Sequence, residues 1–182
     1  MPVKQLQWIV YASLMAALTA VGAYIHIPVG PVPIVLQNLF VLLAGLLLGS
    51  RWGVTSAGIY LLVGAIGIPV FAGAKGGIAH FLGPTGGYLF GFAACAFIVG
   101  WLSENLESRS YGDILAVMIG SIAIYLFGVP WLKVVTGMPW EKAVMVGMVP
   151  FLLGDGLKAA AAVILVRAIR PLVNRHLEPM TP

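Results

Sequence analysis

Residues 150–170 read PFLLGDGLKAAAAVILVRAIR, an apolar run with an aspartate and a lysine near one end. A helix needs about 20 predominantly apolar residues to cross the hydrocarbon core of a bilayer, and this run is that long. Asp155 and Lys158 stand three residues apart, so a helix places them on one face. A charge inside a membrane costs several kcal/mol unless it is paired or faces water. Gly154 and Gly156 flank Asp155 and bare the backbone to a ligand or to a neighbouring helix. The pair either fixes helix packing or serves as a polar handle for a ligand, and the bared backbone beside it favours the handle.

The rest of the chain asks for the same solvent. Of 182 residues, 60 % are hydrophobic and only 9 % charged, and the mean hydropathy is +1.02. A soluble domain carries about 25 % charged residues, because its outside must face water. An ordinary cytosolic enzyme, a disordered protein and a nucleic-acid module are therefore excluded, and one compact integral membrane domain is expected. The 23 glycines and 12 prolines suit close helix packing and broken helices. The net charge of +4 comes from scattered Lys and Arg. They read as topology signals rather than as a nucleic-acid footprint, so no nucleic-acid partner is expected. Cys95 is the lone cysteine, and it reads as a small buried filler.

Six apolar stretches predict an all-α bundle of six membrane helices, at roughly 8–27, 33–49, 52–72, 84–102, 113–132 and 150–169. The first, from Trp8 to Ile27, is longer than the ~7–15-residue core of a cleavable signal. Pro150 divides the last apolar region, so a short helix or bend is expected over 139–149 and an end to the sixth span before Pro171. Lys4, Arg51, Arg109, Arg167, Arg170 and Arg175 fall on one side, against Lys75, Lys133 and Lys142 on the other. The excess of positive charge places both termini in the cytoplasm. The connections expected outside, HIPVGPVP, FAGAKGGIAHFLGPTGG and GVPWLKVVTGMPWEKA, are apolar and rich in Gly and Pro. Such segments suggest a cavity wall. No inverted repeat stands out.

Further residues carry candidate chemistry. In Gly83-Pro84-Thr85-Gly86-Gly87-Tyr88, Pro84 stands at a plausible first helical position, Thr85 and Tyr88 offer hydroxyls, and the glycines clear space. Helix packing and ligand contact stay equally open there. Gln37 and Asn38 lie inside an apolar run, where an amide must find a partner on a neighbouring helix or on a polar ligand. Tyr125, Trp131 and Trp140 fit an interfacial aromatic belt, with a stacking wall for a flat ligand as the alternative. His26, His80 and His176 lack metal spacing, so neither a metal nor a cofactor is expected. Asp155 is the one acid read as clearly intramembrane. Ala12, Ala16 and Ala20 form a small-xxx-small face that packs internally or meets another subunit. No catalytic constellation can be assembled.

Four of these segments in order, GPVPIVLQNLFVLLAGLLLG (30–49), GIPVFAGAKGG (67–77), GPTGGYLFGF (83–92) and PFLLGDGLKAA (150–160), resemble the BioY family. Its members are the biotin-specific substrate-binding (S) components of energy-coupling-factor (ECF) vitamin transporters. The resemblance covers about residues 8 to 170. It implies a six-helix protein of the prokaryotic cytoplasmic membrane, set in lipid, with a vitamin site near the outer face. It also implies an energy-coupling module as partner, consisting of a membrane-spanning T subunit and two ATPases; homo-oligomers are a further possibility. The implied biotin-binding residues are Asp155, Lys158, Thr85, Gly86, Tyr88 and Gln37, and Ala12, Ala16 and Ala20 match the face that docks on the T subunit. The chain has no Walker motif, so ATP hydrolysis falls to partners. An S component for another vitamin, and an intramembrane enzyme using Asp155 and Lys158, are the competing readings.

Overall fold

The computed structural model describes residues 3–28, 30–106 and 109–177. The side chains of Arg109, Arg175 and His176, which enter the charge tally and the histidine survey above, lie outside the described residues. Apart from a two-residue hairpin the fold is helical: α1 (Val3–Tyr24), β1 (His26–Ile27) paired antiparallel with β2 (Ile34–Val35), α2 (Gln37–Ala65), α3 (Gly86–Asn105), α4 (Arg109–Thr136), α5 (Trp140–Gly147) and α6 (Leu152–Leu177). Among the described residues, five helical stretches are long and apolar enough to cross a membrane, the last combining α5 and α6. α3 packs between α2 and α4, α1 lies on α2, and α6 closes the bundle against α2 and α4.

α2 is two limbs folded at Gly49, whose φ of 77° and ψ of −176° break the helix. The reversal shows in side chains: Gln37 bonds Tyr60, although 23 residues of straight helix would separate them by about 35 Å. Glu104 at the end of α3 caps the second limb. Its carboxylate accepts from the Ser50 backbone N–H at 3.0 Å and from the Ser50 hydroxyl at 2.8 Å, where the helix N-terminus favours negative charge. Gly49 is required twice over, since φ is positive and a Cβ would lie 1.9 Å from Glu104 Oε1. Other glycines set helix spacing. A Cβ on Gly128 would lie 2.3 Å from the Tyr88 ring, and one on Gly100 would lie 2.3 Å from the Gly49 carbonyl carbon.

Several helix ends differ from the expectation for physical reasons. The limb expected to run to residue 72 stops at Ala65, because Gly67 takes φ 102° and Pro69 cannot continue a helix. The segment 33–36 turns through β2 instead of opening α2. α3 begins at Gly86, two residues after Pro84. α6 runs through Pro171, which removes one backbone donor without ending the helix.

Asp113 corrects the sequence reading most clearly. It is not at the water edge but 2 % exposed, and Arg170 is its partner rather than a simple topology signal. Arg170 forks onto both carboxylate oxygens at 2.8 Å. Its Nη2 also reaches the Leu46 carbonyl and the Ser103 hydroxyl, each at 3.1 Å. This knot ties α2, α3, α4 and α6 together. Removing one partner from a buried ion pair leaves the other charge uncompensated, whereas replacing both by apolar groups is often neutral. Asp113→Ala should therefore destabilise the protein by about 3–5 kcal/mol in thermal unfolding in detergent. The double variant Asp113→Leu/Arg170→Met should recover most of that loss. Equal losses in both would contradict the pairing.

Candidate functional site

The end of the bundle away from Arg170 holds a cavity of ≈ 470 Å³, inside the roughly 300–1,000 Å³ typical of small-molecule sites. Its walls come from the β1–β2 hairpin and the start of α2, the loop between α2 and α3, the first turns of α3, the middle of α4 and the start of α6. Asp155 and Lys158 lie on its wall, and Asp155 is fifteen residues of α6, or about 22 Å, from Arg170.

Asp155 stands in the first turn of α6, where unsatisfied backbone N–H groups favour an anion. It is 9 % exposed and receives three donors. Lys158 Nζ at 2.8 Å and Asn38 Nδ2 at 2.9 Å both reach Oδ1, and the Tyr125 hydroxyl donates to Oδ2. The donors come from α6, α2 and α4. A carboxylate has about four acceptor sites, so one remains. Lys158 has three N–H donors, of which one is engaged by Asp155. The site thus offers a cation already balanced by its anion, with spare hydrogen-bonding capacity of both signs on the wall of a mainly apolar cavity.

The other expected site residues are arranged differently. Gln37 lines the cavity but gives its amide N–H to Tyr60, whose hydroxyl donates to the Val70 carbonyl at 3.2 Å. Its amide therefore braces the loop that follows α2. Tyr88 presents its ring to the cavity, while its hydroxyl ties α3 to α5 through the Gly147 carbonyl at 2.8 Å. Thr85 lines the cavity and its hydroxyl pairs with His80 Nε2 at 3.1 Å. Gly86 lies off the cavity. A Cβ there would lie 1.8 Å from the Phe81 carbonyl oxygen, so its part is close packing at the start of α3. Lys75 and His80, from the loop after α2, also line the cavity.

Tyr125, expected in an aromatic belt or a stacking wall, lines the cavity and donates its hydroxyl to Asp155. The signal available was a hydroxyl in the middle of an apolar run, but nothing in spacing links residue 125 to residue 155. Trp131 donates to the Gly83 carbonyl at 3.0 Å, and Trp140 is exposed with Lys133 Nζ 5.3 Å from its ring centroid. On α1, Ala12 is 0 % and Ala16 5 % exposed. Both point into the bundle and only Ala20 is partly open, so the outward small residues are Ser13 and Ala17. Among the described residues, no three His, Cys, Asp or Glu side chains are grouped to hold a metal ion.

A profile described as the BioY family matches residues 1–175. A protein of Pyrococcus horikoshii named probable biotin transporter BioY is 46 % identical over 158 residues, covering 87 % of this chain and 93 % of that one. The biotin transporter BioY of Thermotoga maritima is 41 % identical over 164 residues, covering 90 % and 96 %. A crystal structure of the S-component for biotin from an ECF-type ABC transporter superposes with a TM-score of 0.86 at 31 % identity, covering 94 % of each chain.

His80 gives a pH test of the cavity wall. Its ring stacks on Phe71, with centroids 5.0 Å apart. Burial first, and the Lys75 cation second, push its pKa below the ordinary 6.5. The folded state therefore binds its proton less readily than the unfolded chain. Stability is complete above about pH 6.5 and falls as the pH drops through the folded value. The melting temperature in detergent should fall further between pH 7 and pH 5 in the native chain than in His80→Gln. Identical pH profiles would contradict the burial of a neutral ring.

Proposed function

The chain belongs to the BioY family, and from that premise we propose that it binds biotin and serves its uptake as the substrate-binding component of an ECF-type transporter. The observation that carries this reading is the charge-balanced Asp155–Lys158 pair on the wall of a cavity of vitamin size. Biotin has an apolar bicyclic body, a neutral ureido group with two N–H donors and one carbonyl, and a carboxylate tail. The ureido end matches the pair: Asp155 has an acceptor site left for an N–H, and Lys158 has donors left for the carbonyl. The tail carries a full negative charge and suits Lys75, a cavity-lining cation with no carboxylate bridge among the described residues. Thr85, Tyr88 and Gln37 shape the walls, and Gly86 holds α3 in place behind them.

We place the two limbs of α2 as separate crossings. That makes six passes, with both termini in the cytoplasm and the cavity opening to the outside of a prokaryotic inner membrane. The energising partners are a T subunit and two ATPases. Docking falls to the outward face of α1, with Ser13 and Ala17, because Ala12 and Ala16 are covered by the protein's own helices. The family is a transporter substrate-binding component, so Asp155 and Lys158 act in binding, not in catalysis.

Calorimetric titration of the purified protein in detergent tests the substrate. Biotin should bind, and riboflavin and thiamine should not. A hit on another vitamin alone would keep the architecture and discard the specificity. Asp155→Asn and Lys158→Ala should each weaken biotin by about 10–100-fold, since a charge-assisted hydrogen bond contributes about 1.5–3 kcal/mol. Tyr88→Phe should change affinity little, because its hydroxyl is spent on Gly147. Unchanged binding in both charge variants would remove the pair from the site.

A further inference from the structure

Trp8 on α1 and Trp52 on the second limb of α2 stack face to face, with ring centroids 5.9 Å apart and planes 6° from parallel. The guanidinium carbon of Arg51 lies 5.7 Å from the Trp52 ring centroid, within reach of a cation–π contact. Lys4 stands four residues before Trp8, so it is one turn away on the same side of α1. Both cations are exposed, and neither enters an ion pair among the described residues. The nearby Glu104 carboxylate is engaged by Ser50, the residue before Arg51. Trp131 bonds its indole N–H within the protein, whereas the indole N–H groups of Trp8 and Trp52 have no partner among the described residues. None of these four side chains lines the cavity.

The cluster gathers positive charge and free donors where α1 enters the hydrocarbon. Leu6, Val10 and Leu14 are 55 %, 58 % and 50 % exposed, so just past Lys4 the outward side of the helix is apolar. Indoles settle at headgroup level, an arginine fork matches two phosphate oxygens, and a lysine meets a phosphate as a point charge. We propose that Lys4, Trp8, Arg51 and Trp52 bind the phosphodiester headgroup of an anionic phospholipid, in the leaflet at the end of the bundle away from the cavity. The acyl chains of that lipid run on beside the apolar surface of α1. Trp8 continues at intervals of four into Ala12 and Ala16, whereas Ser13 lies nine residues from Lys4, half a turn round the helix. The lipid site and the docking face proposed for α1 are therefore on different sides. The proposal rests on the membrane class of the chain and not on its vitamin.

The test titrates the purified full-length chain in detergent with dioleoyl phosphatidylglycerol and with dioleoyl phosphatidylcholine, and counts bound lipid by native mass spectrometry. The native chain should prefer phosphatidylglycerol by roughly 10-fold or more. Lys4→Ala and Arg51→Ala should each weaken phosphatidylglycerol by about 5-fold, and the double variant by about 25-fold, with phosphatidylcholine little changed. Arg51→Lys keeps the charge but loses the fork, and should fall between the native chain and Arg51→Ala. Arg167→Ala removes an exposed cation from α6 and should leave the preference intact. Melting temperatures check that each variant is folded, and Arg51→Gln replaces Arg51→Ala if the latter is not. An equal loss in Arg167→Ala would show diffuse attraction to surface charge and overturn the site. A native chain without preference for phosphatidylglycerol would overturn it too. Complete displacement of the lipid by inorganic phosphate at constant ionic strength would mark a site for a free anion and overturn the lipid assignment.

Discussion

A carboxylate buried in a membrane bundle must be surrounded by donors, and Asp155 organises this molecule by that requirement. Its donors come from α2, α4 and α6, so satisfying one charge fixes how three helices meet. The cavity is a consequence of the same arrangement. Helices held by a polar contact at one level, with glycines and prolines in the connecting loops, leave room beside that contact. The room is lined by the residues that satisfy the charge. In the proposed site, structure and recognition therefore draw on the same hydrogen bonds. A ligand that adds its own donors and acceptors there joins a network already in place, which reduces the ordering that binding would otherwise require.

The opposite end solves the same problem with a second set of residues. Asp113 and Arg170 are bonded to each other, to Ser103 and to the Leu46 carbonyl, and the Glu104 carboxylate is spent on the start of the second limb of α2. α6 carries a member of each polar knot, Asp155 near its start and Arg170 toward its end, with mostly apolar side chains between them. One knot faces the cavity, and no residue of the other lines it. That contrast supports the proposal of a binding site at one end of the bundle and a structural clamp at the other.

The membrane class, the family and the pairing of Asp155 with Lys158 were legible because they rest on local features: hydropathy, ordered motifs and two charges three residues apart. Contacts across the bundle were not. Tyr125 and Asp113 looked like a belt aromatic and a span-edge acid, since nothing in sequence spacing brings residue 125 to 155 or 113 to 170. The alanine face of α1 was legible as a packing surface but not its direction, and the structure turns Ala12 and Ala16 inward. The hydroxyl of Tyr88 and the amide of Gln37 were open to helix packing or to ligand contact, and the fold engages them with Gly147 and Tyr60. A polar atom in an apolar run announces that it needs a partner, but not which one.

A structure of the chain with biotin bound measures the central claim most directly, namely that the Asp155 network is the recognition element for the neutral end of the ligand. The ureido ring should lie within hydrogen-bonding distance, about 2.7–3.2 Å, of Asp155 and Lys158, with the carboxylate tail toward Lys75. A complex with the tail on Lys158 and the ring at the far wall, or with the ligand outside this cavity, would contradict it.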